Sequence, residues 1–61
     1  MTYKEIQKYL NGDYVVRNEE YEYKIFHNKI YCRQIGCEAW NSMYFIPECE
    51  KNQEWELVGK K

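Results

Sequence analysis

The chain has 61 residues, 44% hydrophobic, 31% charged and 18% aromatic, and its nine basic and ten acidic side chains leave a net charge of −1. That length admits one domain, the composition is that of a folded chain rather than a disordered one, and the lack of a basic excess argues against general nucleic-acid binding while leaving room for a local basic pocket. No apolar run approaches the ~20 residues of a membrane span, and the polar start MTYKEIQKYL lacks the apolar centre of a secretory signal, so the protein reads as intracellular, with no membrane partner.

A domain this small buries only about 60% of the surface its unfolded chain exposes, and its core supplies no more than roughly 3–5 kcal/mol of net stability. Such chains usually need a disulfide, a metal or a partner subunit. Seven of the eleven aromatic residues are tyrosines, which tolerate half-burial because the hydroxyl can stay wet.

Thr2 followed by Glu5 has the spacing of a helix capping box. Tyr3, Ile6, Tyr9 and Leu10 then recur three and four apart, the period of one helical face, and Asn11-Gly12 ends it with a glycine suited to a left-handed cap. The spacing predicts a short amphipathic helix over residues 2–11 that must pack on something, because at this length it is marginal alone. Beyond Gly12 the period becomes two. A first strand covers 13–18 and Glu19-Glu20 turns the chain. In residues 21–27, Tyr21, Tyr23 and Ile25 face one way and Glu22, Lys24 and Phe26 the other. Asn28-Lys29 suits a tight turn. A third strand over 30–35 puts Ile30 and Cys32 on one face and Tyr31, Arg33 and Ile35 on the other, and Gly36 breaks it. Residues 40–46 alternate again up to Pro47. Glu48 to Gln53 reads as a charged turn, 54–58 as a last strand, and the Gly-Lys-Lys end as frayed. The fold class is therefore α+β: one short N-terminal helix followed by a small antiparallel sheet of about five short strands, as a single domain over 1–61.

A single helix covers only one face of such a sheet. The other face, with Phe26, Tyr31 and Ile35, must pack on a loop, another protomer or a ligand, unless the sheet curls enough to bury both sets.

Enzyme signatures are missing: there is one histidine and no Gly-x-Ser-x-Gly, phosphate-binding glycine loop or His-Glu-x-x-His. Cysteine with His27 would make a nucleophile–base pair, but no cysteine stands out for it. His27, Cys32, Cys37 and Cys49 follow a His-x4-Cys-x4-Cys-x11-Cys spacing without the tight Cys-x2-Cys knuckle of structural zinc sites. The cysteines read instead as free, buried or semi-buried thiols acting as small hydrophobes. Neither a metal nor a cofactor is expected. Binding fits the composition better. Tyr, Trp and Arg dominate recognition surfaces, and Tyr14, Arg17, Tyr21, Tyr23, Arg33, Trp40, Asn41 and Tyr44 fall on adjacent strands. Rings stack on nucleobases and arginines grip phosphate. Trp40 and Trp55 are by type more often core anchors than ligand platforms, and Arg17 and Arg33 more often surface ion pairs, although their planar forks suit a phosphate.

The opening MTYKEIQKYLNGDYVVR, through Tyr3, Glu5, Leu10, Gly12, Val15 or Val16, and Arg17, resembles the start of the Thoeris anti-defence sponge-like family of small phage and prophage proteins. The closing Trp55-Glu56-Leu57-Val58 resembles that family's last strand. Tyr21 stands near the position where the family has a tryptophan. Asn52-Gln53-Glu54-Trp55 replaces its acidic closing form, and the chain is shorter than typical members. The resemblance implies a helix with an antiparallel sheet, assembly into homo-oligomers, and sequestration of a cyclic-nucleotide immune signal between protomers in the cytoplasm of an infected bacterial host. It carries over only Arg17 and the aromatic at Tyr21 as contact residues. The expected function is that of a phage anti-defence sponge, not an enzyme. The alternative is a phage accessory protein that inhibits a host enzyme or defence complex by direct contact.

Overall fold

The computed structural model describes residues 1–60. The capping box forms: the Thr2 hydroxyl accepts from the Glu5 backbone N–H, and the Glu5 carboxylate accepts from the Thr2 N–H at 2.9 Å. These bonds hold the Glu5 carboxyl below its ordinary value, the Thr2 backbone N–H contributing most. Helix α1 spans Tyr3–Asn11 and buries Ile6 and Leu10. Its C-terminal cap differs from expectation. Gly12 has φ −88°, outside the left-handed region, and its N–H is shared between the Lys8 and Tyr9 carbonyls, which closes the helix without a reversal of hand.

Five strands follow: β1 (Tyr14–Arg17), β2 (Tyr21–Phe26), β3 (Lys29–Gln34), β4 (Asn41–Met43) and β5 (Glu56–Lys60), with a one-turn helix α2 (Glu48–Lys51) before the last. They form one antiparallel sheet in the order β4-β3-β2-β1-β5. The α+β architecture is thus the expected one.

Turn chemistry moves several boundaries. The β2–β3 turn centres on His27 and Asn28, at φ 52° and 64°, one residue earlier than expected. A two-residue hairpin with positive φ at both positions has to be filled by residues that tolerate it, and His and Asn both do. Ile35 lies beyond β3 in a turn where the Cys37 N–H donates to the Gln34 carbonyl, with Gly36 at φ 93° in the position that requires positive φ. Strand β4 is only three residues long because the chain leaves the sheet after Met43 and turns Ile46 into the core. The segment expected as a charged turn contains α2, with Pro47 as its cap residue and Glu48 and Glu50 in its first turn, where acidic side chains complement the helix dipole. Strand β5 includes Gly59 and Lys60, which pair with Val15 and Tyr14 rather than fraying. Lys61, the last residue of the expected frayed end, lies outside the described residues.

The core is Ile6, Leu10, Val16, Tyr23, Ile46 and Trp55, ringed by Tyr3, Tyr9, Tyr21, Ile25, Ile30, Cys32 and Met43. Trp55 is its centre, with its ring 5.5 Å from that of Tyr3 and 5.4 Å from that of Tyr23. This is the helix-covered face of the sheet. Among the described residues no helix is long and apolar enough to cross a membrane.

Candidate functional site

Alternation along the strands sends Arg17, Glu22 and Arg33 to the face away from α1. Register then lines them up. Glu56 is opposite Arg17, Arg17 opposite Glu22, and Glu22 opposite Arg33. Trp40, immediately before the Asn41 that pairs with Cys32, extends the row to the fourth strand. The result is a rung of alternating charge across β5, β1, β2 and β3, ending in an aromatic ring. Opposite charges facing each other across strands stabilise a sheet by roughly 0.2–1 kcal/mol per pair.

The contacts follow the register. Arg33 Nε donates to Glu22 Oε1 at 2.6 Å, Arg17 Nη1 lies 4.0 Å from Glu22 Oε2, and Arg17 Nε donates to Glu56. The Arg33 guanidinium and the Lys24 ammonium each lie 4.4 Å from the Trp40 ring centre. Cations at that distance from an indole face are attracted by its quadrupole. Glu22 is only 7% exposed although it sits on the outer face, because the two guanidiniums cover it. Three cations, Arg17, Lys24 and Arg33, therefore stand against two carboxylates, Glu22 and Glu56.

This arrangement answers how the second face of the sheet is covered. It is not bare apolar surface: the segment leading into β4 brings Trp40 back over it, and the charged rung occupies its middle. Tyr31 is half-buried there, Phe26 is 49% exposed at its end, and Ile35 is exposed in the turn after β3.

The expected contact residues divide between the two faces. Arg17, Arg33 and Trp40 come together. Tyr21 and Tyr23 point to the helix side, being one residue out of phase with Glu22. Tyr23 is 1% exposed and has no surface to offer; its hydroxyl reaches Glu50 Oε1 at 3.4 Å. Tyr21 is half-buried against the core, its ring 6.3 Å from that of Tyr23. Tyr14 packs edge-on against Tyr9 of α1. Asn41 is exposed and, opposite Cys32, has the phase of the helix side. Tyr44 is fully exposed beyond β4 and lines an open cleft of about 460 Å³ with Asn28, Lys29, Ile30, Ser42 and Met43.

Sequence reasoning missed Lys24 and Glu22 as members of the cluster. The signal was present in the period-two pattern, which puts both on one face with Phe26. Glu56 had no such signal, since its place beside Arg17 depends on a long-range pairing with an irregularity between Val15 and Val16.

The cysteines do not behave alike. Cys32 is half-buried on the helix side, and burial followed by the Glu50 carboxylate pushes its thiol above the ordinary range. Cys37 and Cys49 are exposed, contrary to the reading of all three as small hydrophobes. Cys37 follows the Gly36 turn, and on α2 it is Glu50 rather than Cys49 that turns inward. Among the described residues no three His, Cys, Asp or Glu side chains are grouped to hold a metal ion.

Comparison with protein-family models, curated proteins and solved structures gave no match.

Proposed function

We propose that the protein is a non-catalytic binding module that captures a small anionic ligand of nucleotide type on the outer face of its sheet, and that it acts as a phage anti-defence sponge by sequestering an immune signal in the host cytoplasm. The observation that carries this reading is the convergence of Lys24 and Arg33 on the Trp40 ring, with Arg17 in the same rung. An indole ring supplies a stacking surface for a base once a cation on it turns to the ligand's phosphate, and guanidiniums supply planar forks for phosphate oxygens. The resemblance of the opening segment, which includes Arg17, supports the same class of ligand. The exposed Phe26, Tyr44 and Phe45 at one end of the sheet support assembly into homo-oligomers, since apolar side chains of that size gain most by being covered.

The test is to incubate purified protein with a panel of cyclic nucleotides, remove unbound ligand, and release what is held by heating. The reading expects an intact nucleotide to be recovered from at least one member of the panel. Recovery of none, or of a cleaved product, contradicts it.

A second reading is favoured by one feature. Tyr44 is 100% and Phe45 69% exposed on consecutive residues, and adjacent exposed aromatics are characteristic of protein recognition sites. In that reading this tip contacts a host enzyme or defence complex. Tyr44→Ala with Phe45→Ala, read by nucleotide retention, separates the two. It removes the tip available to a sister chain or a host protein and leaves the Trp40 face intact. Nucleotide retained by the variant favours the first reading, and a function lost with no nucleotide bound favours the second.

A further inference from the structure

We propose that Glu22 is a built-in anion: its carboxylate fills a two-arginine clamp, and ligand anions bind this face by exchange for it. Each Glu22 oxygen addresses a different arginine. Oε1 accepts from Arg33 Nε at 2.6 Å, while Oε2 faces Arg17 Nη1 at 4.0 Å. Two oxygens of one anionic group spanning two guanidiniums is also the arrangement a phosphate or phosphodiester makes with an arginine pair.

The two sides of the clamp are unequal. The Arg33 contact is a short charge-assisted hydrogen bond. The Arg17 contact is beyond hydrogen-bond length, and Arg17 already donates to Glu56. Arg17 can therefore leave Glu22 without losing all its partners, so exchange begins there. Access comes from the same geometry: the Glu22 side chain is 9% exposed, but the Arg17 and Arg33 side chains over it are 39% and 30% exposed. An incoming anion meets the guanidiniums first. Lys24, held on the Trp40 ring, adds a third positive charge beside the clamp.

The ligand class follows. It carries a phosphate group with two free oxygens to span Arg17 and Arg33, and a flat ring placed to use Trp40. Glu22 lowers the affinity for every such ligand, because its negative charge must be displaced or must repel the newcomer. This deepens the functional reading above, but the clamp itself is testable without any nucleotide.

The experiment uses inorganic phosphate as the probe with wild type, Glu22→Ala and Glu22→Gln, read by calorimetric titration and by thermal unfolding at matched ionic strength in chloride. Removing the carboxylate is expected to tighten phosphate binding about tenfold, since one charge-assisted contact is freed for it. It is also expected to lower the Tm in chloride and restore it, saturably, in phosphate. Adding Arg33→Gln to Glu22→Ala is expected to abolish the effect. If Glu22→Ala does not fold, Glu22→Gln keeps the shape, removes the charge and is read in the same way. Equal phosphate affinity in wild type and variant, or stabilisation by phosphate no greater than by chloride, overturns the proposal. Phosphate capture by the variant with no nucleotide bound by any form overturns only the functional reading. Nucleotide binding by wild type that Glu22→Gln leaves unimproved overturns only the exchange.

Discussion

Asn18 and Glu50, 32 residues apart, are joined by a buried hydrogen bond of 2.8 Å from Asn18 Nδ2 to Glu50 Oε1. The two ends of the Asn18 amide do different work. Its Oδ1 accepts from the backbone N–H groups of Glu20 and Tyr21, which sets the β1–β2 turn, while its Nδ2 fastens that turn to α2. Glu50 also accepts from the Tyr23 hydroxyl and from Gln53. One carboxylate thus ties the turn, the central strand and the one-turn helix together. Every buried side-chain polar atom among the described residues has a partner.

Glu50→Ala is expected to destabilise the fold by about 2–3 kcal/mol, because it strands the Asn18 amide and the Tyr23 hydroxyl without an acceptor. Glu50→Gln keeps an acceptor and is expected to cost about 1 kcal/mol. Urea unfolding checks this through a lower midpoint at unchanged slope. A midpoint equal to wild type for Glu50→Ala would mean that α2 is not held by this bond.

Stability is expected to fall at alkaline pH. Burial, followed by the Glu50 carboxylate, pushes the Tyr23 phenol above its ordinary value, and the same causes raise the Cys32 thiol. Both groups are neutral when protonated. Their contribution is therefore fully present below the unfolded-state values, roughly 8.5 for Cys and 10 for Tyr. Above those values the unfolded chain gives up protons that the folded chain retains, so stability falls with pH, by up to about 1.4 kcal/mol per pH unit for Tyr23 and by less for Cys32. Denaturant unfolding as a function of pH measures the slope. Tyr23→Phe is expected to flatten the limb above about pH 10; an unchanged limb would contradict the assignment to Tyr23.

Trp55→Ala is expected to cost about 3–5 kcal/mol, which matches the roughly 3–5 kcal/mol a core of this size supplies, so the variant should be largely unfolded at room temperature. Trp55 is 2% exposed, contacts Tyr3 and Tyr23, and exchanges backbone hydrogen bonds with Met1. Circular dichroism of the variant decides the point: a cooperative transition near the wild-type temperature would contradict this placement of the core.

Trp40→Ala separates binding from folding. The ring lies on the outer face, and its loss removes two cation–ring contacts, worth about 0.5–1 kcal/mol each at exposed sites. A stacked base loses about 1–3 kcal/mol, or about fivefold to a hundredfold in affinity. The expected outcome is a still cooperative transition at a midpoint lowered by the equivalent of about 1–2 kcal/mol, with nucleotide binding lost under conditions where the variant is folded. The reverse pattern would make Trp40 a structural residue.

Local signals made the fold class legible. The Thr2/Glu5 box, the three-and-four spacing of Ile6 and Leu10 and the alternation through Tyr23 and Ile25 are properties of neighbouring residues, and each produced its element. What depended on distant partners was not legible. Glu50 reads as a solvated charge in its own segment and becomes buried only because Asn18 and Tyr23 are there to donate to it. Gly59 and Lys60 read as a loose end and are held because β1 offers them an edge. The candidate site shows the same division. Arg17, Arg33 and Trp40 stand out by type, but Tyr23 does too, and only its phase against Glu22 reveals that it faces the core.

The most direct measurement is native mass spectrometry of freshly purified protein, alone and with a panel of cyclic nucleotides, beside a Glu22→Gln/Arg33→Gln variant, which removes the guanidinium without stranding the Glu22 charge. The account predicts a mass increment matching an intact nucleotide on wild type, lost in the variant while the variant still folds. Bare protein across the whole panel, or an increment the variant retains, would contradict a nucleotide site built on Arg33 and Trp40.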